Sequence, residues 1–237
     1  MSRVAVITGA ARGIGAAIAG RLEADGFTVV RLDRAASEGV MAFDLAAVET
    51  HEAVVAEIIK RHGRIDCLVN NAGIASPKRG DFLALEPQTF DAVMDVNARG
   101  TVFFTQAVTK AMLADKADRR CSIQFITSAS AVMASPERLD YCMSKAALSM
   151  FAKGLALRLA GEGIDVFEVR PGIIKTEMTA QVSAKYDALI AGGLVPELRW
   201  GMPDDIAAIC SALASGALPF ATGSIIDAGG GLHIPKL

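Results

Sequence analysis

Several features that mark other classes of protein are missing from this sequence of 237 residues. Hydrophobic residues make up 52% of it, yet no run approaches the roughly 18 consecutive apolar residues of a membrane-spanning helix. The first residues carry one arginine and then break at Thr8-Gly9, so we expect neither a signal peptide nor a membrane partner. The net charge is −2 without a basic cluster, which argues against nucleic-acid binding.

Cysteine and histidine are also scarce, with four and three residues respectively. No two cysteines form a CxxC motif, and the histidines share no metal-ligand spacing with them. The sequence therefore predicts no metal site. Four free thiols in the core of a cytoplasmic protein are the expectation. The cysteines are Cys67, Cys121, Cys142 and Cys210.

The apolar residues that are present come as short Val/Ile/Ala runs that alternate with helical segments. Strands are predicted at 3–8, 28–33, 40–44, 65–70, 122–127, 164–169 and near 224–226. Helices are predicted at about 14–25, 46–62, 87–113, 141–160 and 204–214. This alternation predicts an α/β fold, a single-domain, doubly wound Rossmann-type parallel sheet of about seven strands in the order 3-2-1-4-5-6-7, with helices on both faces.

One segment, about 173–203, breaks the alternation of strands and helices. It contains Gly192-Gly193, Pro196 and Pro203. We expect a helical excursion that acts as a lid over the site. No linker or repeat divides the chain, so residues 1–237 are expected to form one domain.

A glycine-rich turn follows the first predicted strand and opens the first helix. Its spacing, G-x-x-x-G-x-G, lets backbone N–H groups approach a pyrophosphate at a helix N-terminus. An ordinary tight strand–helix turn is the alternative interpretation. The residues predicted to contact a dinucleotide here are Gly9, Arg12, Gly13, Ile14 and Gly15.

An acidic residue, Asp33, ends the second predicted strand, where a carboxylate can accept bonds from the adenosine ribose hydroxyls. The same carboxylate repels a 2′-phosphate, which favours NAD over NADP. Arg34 and Arg12 argue in the other direction, because either guanidinium could bind that phosphate.

A serine, a tyrosine and a lysine form the third pattern. Ser128 ends the fifth predicted strand, and Tyr141 and Lys145 share one face of the next helix. A phenol is a poor base at neutral pH, and a neighbouring ammonium lowers its pKa. The serine hydroxyl can orient a substrate oxygen. Each residue alone also fits an ordinary structural role.

Together with Asn70-Asn71-Ala72-Gly73 after the fourth strand, these motifs resemble the short-chain dehydrogenase/reductase family along essentially the whole chain. The resemblance implies a catalytic set of Ser128, Tyr141, Lys145 and Asn97, the last completing a proton relay. It also implies homotetramers or homodimers. The cofactor contacts that it implies, beyond those above, are Asp44, Leu45, Asn71, Ala72, Gly73, Tyr141, Lys145, Pro171, Gly172, Ile174 and Thr176. One departure is visible, since family members often end the last strand with D-G-G and this chain reads Asp227-Ala228-Gly229-Gly230-Gly231.

The expected activity is interconversion of a secondary alcohol and a ketone by hydride transfer, with NAD as cofactor and NADP less favoured. Cations near the expected mouth of the site indicate a small polar substrate such as a sugar, polyol or hydroxy acid. The alternative is a 3-oxoacyl-(acyl-carrier-protein) reductase, which the overall pattern also resembles. An alternative of another class is a non-catalytic NAD(H) sensor. The predicted substrate contacts are Ser130, Met133, Arg138, Arg199 and Trp200.

Overall fold

A computed structural model describes residues 2–115, 120–180 and 182–235. Within them, seven strands form one parallel sheet in the order β3-β2-β1-β4-β5-β6-β7, which confirms the predicted topology. The strands are β1 Val4–Thr8, β2 Thr28–Asp33, β3 Val40–Ala42, β4 Cys67–Asn70, β5 Cys121–Ile126, β6 Ile164–Pro171 and β7 Ile225–Ala228.

Helices cover both faces of the sheet, because successive strand residues point to opposite sides. Val4 and Val6 of β1 lie in one core cluster, whereas Ala5 and Ile7 lie in the other. The first cluster is covered by α2, α4 and α5, and the second by α1 and α8. The helices are α1 Gly13–Ala24, α2 His51–His62, α3 Pro87–Met94, α4 Thr101–Ala114, α5 Leu139–Leu159, α6 Glu177–Ala180, α7 Ser183–Ala191 and α8 Pro203–Ala214.

The helix predicted over 87–113 differs from what the structure shows. It is divided into α3 and α4 by a π-helical turn, Asp95–Gly100. Gly100 lies against the loop after β3, where an ideal Cβ would be 2.2 Å from the carbonyl oxygen of Leu45. The wide turn directs the buried Asn97 toward the end of β4, and π-turns of this kind are frequent at functional sites.

The segment predicted as a lid forms an excursion that contains α6 and α7, and its action as a lid stays a prediction. A parallel bridge joins Ile174 to Gly201, so the two ends of the excursion lie next to each other. Higher in the lid, Trp200 donates from Nε1 to Asp187 at 2.7 Å and packs edge-on against Tyr186. These contacts connect α7 with the residues that lead into α8.

The carboxyl ends of all seven parallel strands meet at one edge of the sheet, where α/β folds bind their ligands. The four cysteines are buried free thiols, and burial raises the pKa of Cys67 to about 12. No cluster of three or more potential metal ligands occurs in the part of the chain that the structure describes. None of the described helices has the length and apolar character needed to cross a bilayer.

Candidate active site

The glycine turn after β1 is locked to the end of β4. The amide Nδ2 of Asn71 donates to the carbonyl oxygens of Thr8 and Gly9, both at 3.0 Å. The hydroxyl of Thr8 accepts from the backbone N–H groups of Asn71 and Ala72 at 3.1 and 3.0 Å. Thr8 was not predicted to have this role, although a hydroxyl residue at the end of a strand is a visible signal. The turn is thereby held at the point where the strand order reverses.

The start of α1 fits a phosphate-bearing ligand. Gly15 must be glycine, because an ideal Cβ there would lie 2.0 Å from the carbonyl oxygen of Gly9. No side chain caps the helix, and its first turn holds no acidic residue. The first N–H groups of a helix have no intrahelical partner, and together with the helix dipole they attract an anion. This chain therefore offers a dinucleotide the uncapped N–H groups of Gly13, Ile14 and Gly15.

The end of β2 places a carboxylate beside this turn. Asp33 accepts from the backbone N–H groups of Ala11 at 3.0 Å and Arg34 at 2.8 Å, which holds its side chain in place. Each carboxylate oxygen has a further lone pair for a ribose hydroxyl. The guanidinium of Arg12 forms an ion pair with Glu177 at 2.6 Å. One of the two arginines that could bind a 2′-phosphate therefore already has an acidic partner. The other, Arg34, is exposed.

The loop after β3 lies where the resemblance places the adenine. Asp44 is exposed, and its carboxylate accepts from the backbone N–H of Ala46 at 2.9 Å. Leu45 is buried at 5% exposure, and its carbonyl oxygen contacts the ring of His51 at 3.1 Å. Their contact with a nucleotide stays a prediction.

Ser128, Tyr141 and Lys145 come together at the end of β5. Ser128 begins a short 3-10 turn and accepts from the N–H of Ser130 at 3.0 Å. Its hydroxyl lies near the phenol of Tyr141 and acts to lower the pKa of that phenol. The ammonium of Lys145 donates to the carbonyl oxygen of Ile126 at 3.1 Å and lies 5.8 Å from the centroid of the Tyr141 ring. The arrangement can hold a substrate oxygen between two hydroxyls.

The protonation of this group differs from the sequence expectation. Burial raises the pKa of Tyr141 above its ordinary value, although the hydrogen bond from Ser128 and the charges of Arg138 and Arg79 act in the opposite direction. Burial lowers the pKa of Lys145 to about 8. The predicted net lowering of the phenol pKa is therefore not found, because loss of hydration outweighs the nearby cations. Tyr141 is an acid at neutral pH.

Asn97 sits in the π-turn next to the lysine. It is fully buried and exchanges two hydrogen bonds with the backbone of Ile74, at 2.8 and 2.9 Å. Its Nδ2 also donates to the hydroxyl of Ser144 at 3.0 Å, a contact that the sequence did not reveal. Gly73 separates Asn97 from Lys145, since an ideal Cβ at Gly73 would be 3.1 Å from Asn97 Oδ1 and 3.4 Å from Lys145 Nζ. Only glycine lets these groups approach each other, and the relay role of Asn97 stays a prediction.

The ends of β6 and β7 lie close together at the altered last-strand motif. The N–H of Gly172 donates to Ala228 at 3.0 Å, and an ideal Cβ on Gly172 would lie 2.7 Å from the Cα of Gly229. The two backbones are in contact, which requires glycine at 172, whereas a Cβ on Gly229 would come no closer than 3.4 Å to its neighbours. Pro171 ends β6, and Ile174 is buried at the base of the lid. Thr176 lies next to the start of α1, because its Cγ2 is 3.7 Å from an ideal Cβ on Gly13.

The predicted substrate residues divide into two groups. Ser130 and Arg138 lie beside the phenol, with the Arg138 guanidinium 5.2 Å from the Tyr141 ring centroid. Met133 follows on the same loop and is 39% exposed. Arg199 instead binds Asp205 and Glu197, and lines a cavity of about 340 Å³ between the lid base and β7. Trp200 is held by Asp187, so these two residues have contacts within the lid rather than with the phenol.

Comparisons with known proteins agree with this geometry. The short chain dehydrogenase family model matches residues 3–187. A 3-oxoacyl-[acyl-carrier-protein] reductase of Synechocystis is 34% identical, with 98% of this chain and 97% of the relative covered. The solved structure of a Brucella melitensis 3-oxoacyl-[acyl-carrier protein] reductase in complex with NAD is 56% identical, with a TM-score of 0.98 and coverage of 100% and 99%.

A second similar structure bears the name of a different activity. A gluconate 5-dehydrogenase from Burkholderia cenocepacia, in complex with NADP and tartrate, is 30% identical, with a TM-score of 0.90 and coverage of 100% and 97%. All these relatives favour the catalytic prediction over a non-catalytic sensor. The chain belongs to the short-chain dehydrogenase family of oxidoreductases, which act on carbonyl and hydroxyl groups with a nicotinamide cofactor.

Proposed function

We propose that this protein reduces the 3-oxo group of an acyl thioester to a 3-hydroxy group. The observation that carries the proposal is the half-buried phenol of Tyr141, which lies beside Ser128 and whose pKa lies above its ordinary value. A phenol that keeps its proton at neutral pH suits reduction, where the developing alkoxide needs a proton donor. The named activity of the Synechocystis and Brucella melitensis relatives supports this substrate over the predicted sugar or polyol.

Four residues of this chain have separate roles in the proposed reduction. Ser128 and Tyr141 hold the carbonyl oxygen, and Tyr141 donates its phenolic proton to that oxygen as the C–O bond becomes single. Lys145 contributes an ammonium next to the phenol, and Asn97 holds Ile74 and Ser144 around it. Nicotinamide, when bound, supplies the hydride.

The cofactor that we propose is NAD(H) rather than NADP(H). Asp33 is fixed at the end of β2, where its carboxylate would repel a 2′-phosphate, and Arg12 is engaged by Glu177. The similar Brucella melitensis structure was solved in complex with NAD. The Burkholderia relative in complex with NADP is less similar in sequence, at 30% identity.

Steady-state kinetics with a 3-oxoacyl thioester test both parts of the proposal. Acetoacetyl-coenzyme A should be reduced with NADH at a higher kcat/KM than with NADPH. Asp33→Ser should narrow that preference by at least about 10-fold, because the variant lacks the charge that repels a phosphate. Asp91→Ser, at an exposed position on α3, is the matched control. Binding of NADH without reduction of any 3-oxoacyl thioester would contradict the proposed activity, and a preference for NADPH would contradict the cofactor assignment.

A second candidate activity is dehydrogenation of a small hydroxy acid or sugar. One observation favours it, namely the half-buried guanidinium of Arg138 beside the phenol. The Burkholderia relative, whose structure contains tartrate, shows that the same fold accommodates a dicarboxylate in that protein. 3-Hydroxybutyrate and gluconate with NAD belong in the same substrate panel.

The buried lysine predicts a pH dependence for cofactor binding to the free enzyme. The pKa of Lys145 is lowered from 10.5 to about 8, so its ammonium form is present below that pH and is lost as the pH rises through it. If the ammonium binds the ribose, the affinity for NADH falls above pH 8. Fluorescence titration between pH 6.5 and 9.5 measures this. Lys145→Met should bind NADH more weakly, and its affinity should not change with pH in this range. If the affinity of the wild-type protein did not vary with pH and the variant bound NADH equally well, Lys145 would not be a ribose contact.

We also propose that the protein is a cytoplasmic homotetramer. Three apolar side chains of α5, Met143, Met150 and Leu157, are 53%, 67% and 85% exposed and lie on one side of the helix. Other apolar side chains of α5 do not share this exposure, because Leu148 is buried and Phe151 and Leu155 pack against the core. Light scattering after gel filtration tests the tetramer.

A further inference from the structure

Arg138 lies beside the active-site phenol without an acidic partner. Among the described residues, the arginines that form no ion pair are Arg3, Arg34, Arg79, Arg99 and Arg138. The first four are exposed, whereas Arg138 is half-buried. A cation that has lost part of its hydration without gaining a counter-charge is costly, and such a group is favoured where an anion binds.

The position of the guanidinium places it on the substrate side of the phenol. Its Nη2 donates to the hydroxyl of Ser130 at 3.2 Å, and Ser130 in turn donates from its N–H to Ser128 at 3.0 Å. Its Cζ lies 5.2 Å from the ring centroid of Tyr141. Contacts therefore link Arg138 to Ser130, Ser128 and the Tyr141 ring, and other N–H donors of the guanidinium remain for a ligand.

The acidic residues nearest to Arg138 in the chain are engaged elsewhere. Glu137 lies 3.7 Å from the ammonium of Lys185. Asp140 is buried and accepts hydrogen bonds from the Ser76 hydroxyl and from the N–H of Tyr141, both at 2.8 Å. The charge of a second cation, Arg79, acts on the same phenol, and the N–H of the adjacent Gly80 donates to the backbone carbonyl of Glu137 at 3.0 Å. The two cations that act on the phenol are therefore Arg138 and Arg79, and neither has an ion pair among the described residues.

We propose that Arg138, assisted by Arg79, forms an anion-binding subsite that recognises a carboxylate close to the reacting carbonyl of the substrate. The subsite makes a short free 3-oxo acid a better substrate than its neutral ester. A charge-assisted, bidentate bond from guanidinium to carboxylate is roughly twice as strong as a bond to a neutral carbonyl. The proposal rests on the proposed carbonyl reduction at Tyr141 and extends it from thioesters to free 3-oxo acids, with a thioester carbonyl as the weaker ligand at the same place.

A pair of substrates that differ only in this charge tests the subsite. Acetoacetate and methyl acetoacetate share one carbon skeleton, and their reduction is followed by oxidation of NADH. The wild-type kcat/KM should be at least about 10-fold higher for acetoacetate. Arg138→Gln should remove this preference by lowering kcat/KM for acetoacetate while changing that for the ester less than about threefold. Arg138→Lys should keep part of the preference, because the charge remains without the bidentate geometry.

The matched control is Arg158→Gln, at an exposed arginine of the same helix that pairs with Glu162 at 2.9 Å. It should leave the substrate preference unchanged. Equal loss of activity on both substrates in Arg138→Gln would overturn the proposal, because Arg138 would then act on Tyr141 and not on the substrate carboxylate. An absence of preference in the wild-type protein would overturn it as well.

A binding measurement separates this proposal from the proposed reduction. Acetoacetate should bind to the enzyme–NAD complex, in which hydride transfer to the ketone cannot occur, and calorimetry gives its dissociation constant. Arg138→Gln should weaken that binding by at least about 10-fold. Binding that depends on Arg138 without turnover in the presence of NADH would sustain the subsite and refute the reduction. Binding that is equal in both proteins, or that is absent from the wild type, would refute the subsite.

Discussion

Replacing Tyr141 with phenylalanine is expected to lower kcat by about 10³-fold, because positioned proton transfer typically contributes between about 10² and 10⁴. The phenol lies beside Ser128, and its raised pKa keeps its proton in place at neutral pH. The aromatic ring remains in the variant, so its packing against Arg138 and Lys145 is retained. Affinity for NADH should therefore stay within about twofold of the wild-type value.

The chain offers a matched control for this substitution. It contains two tyrosines, and the second, Tyr186, packs edge-on against Trp200 in the lid at 5.8 Å between ring centroids. Tyr186→Phe should keep kcat within about threefold, because the variant retains the ring contact. Single-turnover reduction of acetoacetyl-coenzyme A, with NADH titrations alongside, measures both quantities. Turnover near the wild-type rate in Tyr141→Phe would refute the acid role.

The sequence predicts the strands and turns that carry this site, because they depend on local sequence patterns. Short buried strands and glycine turns occur at regular spacing, and parallel strands bring their carboxyl ends to one edge. That is enough to place Asp33, Asn71, Ser128 and Tyr141 near one another before any coordinates are considered. The π-turn at Asn97 is different, since it arises from the approach of the distant Leu45 carbonyl to Gly100.

Charge partners could not be predicted in the same way. Arg199 and Arg138 look alike in the sequence as cations near the mouth of the site. In the structure Arg199 is bound to Asp205 and Glu197, whereas Arg138 faces the phenol without a carboxylate. The direction of the Tyr141 pKa shift has the same origin, because it depends on how deeply the folded chain removes the phenol from water. These are properties of tertiary packing.

A buried ion pair in β6 is expected to hold the catalytic helix in place. Glu168 and Arg170 are 2% and 8% exposed, and their side chains meet at 2.8 Å. Glu168 also accepts from the hydroxyls of Thr127 at 2.7 Å and Ser149 at 2.9 Å, while Arg170 donates to Ser149 at 2.9 Å. Ser149 lies one helical turn after Lys145 on α5, so this network joins β5 and β6 to the helix that carries the lysine.

Arg170→Met should lower the free energy of unfolding by about 3–5 kcal/mol, because it leaves the Glu168 carboxylate buried without its counter-charge. The double variant Glu168→Leu with Arg170→Met should recover most of that loss, since apolar replacement of a whole buried pair is often neutral. Chemical denaturation at one fixed protein concentration measures the differences, because the stability of an oligomer depends on concentration.

The exposed pair Arg158–Glu162 on α5 provides the comparison. Arg158→Met should change the free energy of unfolding by less than about 0.5 kcal/mol, because surface pairs gain little in water. If Arg170→Met cost no more than this surface substitution, the network would not support the helix. If the double variant were as unstable as Arg170→Met, the cost would come from lost packing rather than from an unpaired charge. The expected pattern is therefore a large loss in one variant, recovery in the second and no change in the third.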